Sequence, residues 1–127
     1  MPKLYMSHPV FPVPDIAVTA AYYRDVLGFR AVEYLEADEP HVCLYRDDVE
    51  VILTSAPGVE VVPNRVRHGF GYDAYLITDE QSELHAELVA AGAEVVRAPS
   101  MTDYHNLEFV IEDVDGRWLG FGIKDKS

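Results

Sequence analysis

"DIAVTAAYYRDVLG", Asp15 to Gly28, reads as one complete helix with both ends marked. Asp15 is an N-cap, Ile16, Ala20, Tyr23 and Leu27 recur at helical spacing, and Gly28 suits the position just past the end. Sixty-four residues later the pattern returns: Asp79 opens "DEQSELHAELVAAG" and Gly92 closes it. Here Thr78 to Gln81 predict a capping box, and Leu84, Leu88 and Ala91 predict the apolar stripe. An apolar run precedes each helix, and a strand-forming run follows each, "FRAVEY" and "AEVVRA". Self-similarity at a fixed offset is the mark of a duplicated unit.

The remaining strands follow from alternation and turn signals. They are expected at Tyr5–Val13, Arg30–Leu35, His41–Tyr45, Val49–Thr54, Tyr72–Ile77, Glu94–Arg97, Leu107–Ile111 and Arg117–Ile123. Pro9 and Pro12 make the first an edge or irregular strand. "RDD" is a hairpin turn, and "SAPGVEVVPNRVRHGFG" is broken by Pro and Gly into a linker. "HGFGY" and "DVDG" read as turns. The expectation is one α+β domain over residues 1–127, made of two βαβββ modules at about 1–56 and 70–127, with a linker at 57–69.

Composition narrows the function. Apolar residues make up 49% and charged residues 25%, as in a water-soluble globular domain. No apolar run reaches the ~20 residues of a membrane span, and the N-terminus lacks a signal-peptide pattern, so a cytoplasmic protein is expected. Cys43 has no internal disulfide partner and reads as a small apolar strand residue. The net charge of −12 argues against nucleic acid, Arg65 and Arg67 notwithstanding, and favours cations. No phosphate loop and no GxSxG occurs. His85 is expected on the solvated side of its helix.

"HPVFPVPDIAVTAAYYRDVLGF" and "YHNLEFVIEDVDGRWLGF" together resemble the vicinal oxygen chelate superfamily, which includes glyoxalase I, extradiol dioxygenases and bleomycin-resistance proteins. The resemblance covers nearly the whole chain. It implies two βαβββ modules curled around a concave cleft. In the superfamily's enzymes, one ligand from each of four strands holds a divalent metal. The matching positions here are His8, Ile52, Tyr72 and Gly120. His8 fits; Ile52 and Gly120 carry no donor, and Tyr72 is a poor ligand. Glu50 lies two residues before Ile52 on the same strand face and could join His8 in a shifted register.

Short matches, "MPKL", "HPVFPV", "RDDVEVILTSA" and "VVPN", look most like the metal-free bleomycin-resistance proteins. That resemblance implies a homodimer that exchanges its first strand at a proline, here Pro9, and sequesters a cationic drug in grooves at the interface, without cofactor or catalysis. The family's groove tryptophans are not reproduced: Tyr104 and His105 stand where a Trp-Gly pair is expected, and Tyr72 and Tyr75 provide no Trp. The expected ligand is a small cationic, aromatic, antibiotic-like molecule. The residues expected to line its site are Tyr34, Glu50, Ile52, Tyr72, Tyr104, Trp118 and Gly120, with Tyr45 among the nearby aromatics. Gly120 is expected to vacate the space in which a metal enzyme places a carboxylate, and Trp118, in phase with it, to share its face. The alternatives are a metal-dependent lyase or dioxygenase using His8 and Glu50, and a metal-free enzyme using Tyr72 or His105 as acid or base.

Overall fold

A computed structural model describes residues 1–123; the last four positions of the expected second module lie outside the described residues. In chain order the elements are β1 (Val10–Val13), α1 (Ile16–Asp25), β2 (Arg30–Tyr34), β3 (His41–Arg46), β4 (Val49–Ser55), α2 (Asn64–His68), β5 (Ala74–Ile77), α3 (Gln81–Ala90), β6 (Glu94–Met101), β7 (Leu107–Glu112) and β8 (Trp118–Gly122). They form two four-stranded sheets, β1-β4-β3-β2 and β5-β8-β7-β6. The two orders are the same order twice. Each has one parallel pair, β1 with β4 and β5 with β8, and antiparallel pairs elsewhere. The duplication expected from the helix repeat is therefore a duplication of topology.

Local chemistry explains the helices. The Asp15 side chain accepts from the Val18 amide at 3.2 Å, as an N-cap should. Gly92 follows the C-cap Ala91 directly and Gly28 stands two residues past the C-cap Val26, at φ of 96° and 77°, the left-handed region that glycine enters without a Cβ penalty. The capping box expected at Thr78 does not form. Helix α3 begins at Gln81 after Glu80, which makes no side-chain cap, and Thr78 Oγ1 instead accepts from the Glu80 amide at 3.0 Å. Ala91 is exposed, and the buried side of α3 is carried by Gln81, Leu84 and Leu88. His85 is half-buried and meets Phe109 edge-on, with ring centroids 5.5 Å apart, rather than standing in solvent.

The first strand is shorter than expected. Its ladder starts at Val10, with one more bond from the Ile52 amide to the Pro9 carbonyl at 3.0 Å, and residues 1–7 are exposed. The linker contains the short helix α2. Strand β6 runs four residues further than expected, to Met101, through two register shifts.

Alternation assigns the two faces of each sheet. Phe11, Val13, Val42, Leu44, Val51 and Leu53 of the first sheet, and Phe109, Ile111, Leu119 and Phe121 of the second, belong to one core together with Tyr23, Leu27 and Leu88 from the helices. The halves are also tied by polar contacts. The Tyr23 hydroxyl donates to Asp113 Oδ2 at 2.7 Å, and Arg117 Nη2 donates to the Pro12 carbonyl at 2.8 Å. The "DVDG" turn of residues 113–116 is closed by Asp113, whose Oδ1 accepts from the Asp115 and Arg117 amides at 2.9 and 3.0 Å.

Candidate functional site

The structure divides the expected site residues into two groups, one on the open face of each sheet; Tyr72 and Tyr104 reach the second from the loops before β5 and β7, since β5 starts at Ala74 and not at Tyr72. On the first sheet, register places Cys43 beside Ile52, Tyr45 beside Glu50 and Tyr34 beside His41. Tyr34 lies at the sheet's edge, stacked on His41 at 4.8 Å. Glu50 meets His8, Nε2 to Oε1 at 3.2 Å. A cavity of about 510 Å³ touches this pair and is completed by Tyr75, Leu76 and Ile77 of the second sheet.

The second group centres on a residue that the sequence reading passed over as part of a fold signature. Glu108 is fully buried on β7. Its Oε1 accepts from the hydroxyls of Tyr72 and Tyr104 at 2.6 and 2.8 Å, and its Oε2 accepts from the Tyr75 hydroxyl at 2.6 Å. Arg97 Nη2 donates to Oε1 at 3.2 Å and to the Tyr72 hydroxyl at 2.7 Å. Burial alone would raise the Glu108 pKa, but the three phenols and Arg97 hold it below its usual value. The same contacts act oppositely on the donors. Burial, then the bond to Glu108, raises Tyr72 and Tyr104 and pushes Tyr75 up to about 12.

Glycine makes this cluster possible. Gly120 pairs with Tyr75 on one side and Val110 on the other, and Gly122 pairs with Glu108. A Cβ at Gly120 would lie 2.9 Å from Tyr75 Cδ2 and 3.2 Å from Tyr72 Cδ2. The space at Gly120 is thus occupied by tyrosine rings, not vacated as the sequence suggested. Trp118 does share its face and is half-buried. Its indole N–H donates to Glu112 Oε1 at 3.1 Å, and the Arg65 guanidinium lies over its ring, 4.5 Å from the centroid. Arg65 Nη2 also reaches Glu112 at 3.1 Å, while its Nη1 donates to the Gly116 carbonyl.

The residues at the four superfamily ligand positions do not fit a divalent metal. Ile52 has no donor, Tyr72 spends its hydroxyl on Glu108, and tyrosine rings fill the space at Gly120. His8 and Glu50 are in contact, but among the described residues no third His, Cys, Asp or Glu joins a group that could hold a metal. Acid–base chemistry is poorly served too. Glu108 has a depressed pKa and both oxygens engaged, and Tyr72 is raised, so neither is poised as a base near neutrality. His105 sits exposed at a left-handed backbone position, φ 62°, in the loop before β7.

Of the expected lining residues, Tyr72, Tyr104, Trp118 and Gly120 come together; Glu50 and Ile52 share the other sheet's open face, and Tyr34 stands at its edge. The structure adds Glu108, Tyr75, Arg97 and Arg65 to the second group. Glu108 had one legible signal: it is a single acid inside the apolar run "LEFVI", where an unpaired charge would be costly.

Comparisons with known proteins agree with this architecture. The family model described as "Glyoxalase/Bleomycin resistance protein/Dioxygenase superfamily" matches residues 5–121. A search of curated proteins finds no match. Among solved structures, a bleomycin resistance determinant encoded on the transposon Tn5 is 20% identical with a TM-score of 0.74, over 96% of this chain and 99% of that one. TnmS3, an antibiotic binding protein from Streptomyces sp. CB03234, is 17% identical with a TM-score of 0.72, over 98% and 99%. UcmS2 is 21% identical with a TM-score of 0.73, over 94% and 98%. These likenesses at low identity establish the fold. No helix among the described residues is long and apolar enough to cross a membrane. With the family model spanning nearly its whole length, the chain belongs to the glyoxalase/bleomycin resistance protein/dioxygenase superfamily.

Proposed function

We propose that this protein binds and sequesters an aromatic, antibiotic-type small molecule, of which a bleomycin-type drug is the leading example, and does not transform it. The observation that carries this reading is the closed bonding of the second sheet's open face. Tyrosines cover Gly120, where the superfamily's enzymes need a ligand, and their hydroxyls saturate Glu108. What remains is a wall of rigid aromatic faces, suited to holding a ring at low entropic cost. No cofactor is needed for that role. The chain's charge of −12 would raise the encounter rate with a cationic drug at long range.

The proposal includes a homodimer exchanging its first strand at Pro9. Leu4, Tyr5 and Met6 are exposed ahead of it, and Ile77 is exposed on the edge strand β5, so apolar surface is available for a second copy. Light scattering coupled to size exclusion reads the mass.

Titration with metal-free and copper-loaded bleomycin, followed by Trp118 fluorescence, tests the binding. Saturable quenching near one ligand per chain supports sequestration. A flat trace, with Trp118 shown to be reachable by a neutral quencher, removes this drug. Stoichiometric divalent metal in the purified protein, lost in His8→Ala, would overturn this reading in favour of a metal-dependent lyase or dioxygenase.

A further inference from the structure

The ligand class can be narrowed from the cavity that the second group of residues lines. It has a volume of about 680 Å³ and lies between α2 and the second sheet, with walls from Phe70, Tyr72, Tyr104 and Trp118. The charged residues among the described lining are Arg65 and Arg97, and no carboxylate is among them. In a chain with 22 acidic and 10 basic residues, that local inversion is a specific feature. The carboxylates that anchor the two arginines lie outside the lining. Glu108 is fully buried beneath the tyrosines, and Glu112 takes Arg65 Nη2 and the Trp118 indole N–H.

Cation–π binding is the usual way for such a wall to hold a positive ligand, but the Trp118 face is already covered by Arg65. A ligand cation would have to settle beside two guanidiniums. An acidic or strongly hydrogen-bond-accepting group meets the opposite situation. The Arg97 side chain is 46% exposed, and its bonds to Tyr72 and Glu108 both run through Nη2. The rest of its planar fork can face a carboxylate or phenolate. Phe70, 78% exposed between Gly69 and Gly71 at φ of 85° and 103°, stands at the cavity as an aromatic surface with little cover of its own.

We propose that this cavity takes a planar aromatic ligand bearing an acidic group, a carboxylate or ionised phenol, with the ring against Tyr72, Tyr104 and Phe70 and the acid read by Arg97 and Arg65. This rests on the sequestration reading and reverses the ligand charge that the overall composition suggests. Long-range repulsion from the acidic chain slows the encounter with an anion; the cavity sets its residence.

The test uses three probes on one ring system: anthracene-2-carboxylate, the neutral 2-(hydroxymethyl)anthracene and the cationic 2-(aminomethyl)anthracene. Equilibrium dialysis gives affinity and Trp118 quenching reports location, each at low and moderate salt. The carboxylate is expected to bind at least about tenfold tighter than the amine, and Arg97→Gln to remove most of that difference while leaving the neutral probe within about twofold. Arg97→Lys, which keeps the charge and loses the fork, should restore part of it. Thermal melts check that both variants fold; if Arg97→Gln does not, Arg97→Lys and the probe series still decide. Equal or tighter binding of the amine, or equal loss for all three probes in Arg97→Gln, overturns the acidic ligand and leaves sequestration standing. Absence of saturable binding by all three probes and by bleomycin overturns both.

Discussion

The ring of Tyr75 lies so close to the backbone of Gly120 that a Cβ there would stand 2.9 Å from Tyr75 Cδ2. The glycine is a packing partner for the tyrosine, and through it for the carboxylate of Glu108, which the Tyr75 hydroxyl meets at 2.6 Å. Gly120→Ala should therefore cost about 1–3 kcal/mol, as overpacking does, and loosen both Tyr72 and Tyr75. Gly122→Ala should cost more, because a Cβ there meets the Leu107 carbonyl and Glu108 Cβ, each at 2.9 Å, and backbone does not step aside. Urea unfolding of the two variants against wild type gives the order.

Glu108→Gln should destabilise the protein by about 2–4 kcal/mol at neutral pH, because one amide must replace a carboxylate that accepts three phenols and an arginine. The folded-state pKa of Glu108 is lowered, so its contribution is present above the unfolded value of about 4.3 and lost as pH falls through the folded value. The gap between wild type and Glu108→Gln should narrow on acidification below about pH 4. Paired denaturant titrations at neutral and acid pH measure it.

Asp113 should respond in the opposite sense. Burial raises its pKa against the bonds from Tyr23, Arg117 and Asp115. A raised carboxyl pKa favours the protonated form in the fold, so its contribution is greatest at low pH and falls as pH rises through the folded value. Wild type should thus lose ground relative to Asp113→Asn between acid and neutral pH. Asp113→Ala, which orphans two backbone amides and the Tyr23 hydroxyl, should cost about 2–4 kcal/mol, and Tyr23→Phe about 1 kcal/mol.

The eight tyrosines should not titrate together. Burial pushes Tyr22 and Tyr75 up to about 12, and Tyr23 and Tyr72 are also raised. Ultraviolet titration should show a late phase at about 12, above the usual phenol value of about 10 that the unfolded chain takes. Because the unfolded chain ionises first, stability should fall between those values. In Tyr75→Phe the late phase should shrink by one phenol.

The duplicated topology was legible before any coordinate, since two capped helices with glycine ends at a fixed offset depend on local chemistry that each segment carries within itself. Asp15 and Gly92 behave as read, while Gly28 makes its left-handed turn one residue later than expected, two past the C-cap Val26. Thr78 shows the limit: a capping box requires the chain to enter the helix at that residue, and packing starts α3 at Gln81. The site was legible only in kind. Tyr72, Tyr104 and Trp118 could be named as aromatics near open-face strands, but Tyr34, of the same chemistry, lies at the edge of the other sheet.

By itself, then, the sequence determined the two-module α+β architecture, the superfamily and the loss of donors at the Ile52 and Gly120 positions, because these depend on periodicity, caps and residue identity. Tertiary structure alone decided what fills the place of Gly120, which carboxylate the tyrosines share, and which charge faces the cavity. Arg65, Tyr72, Arg97, Glu108 and Trp118 come from four different elements and an intervening loop. Bonds among residues so distant in sequence leave no periodic trace, and a net charge counts arginines without telling which way they point.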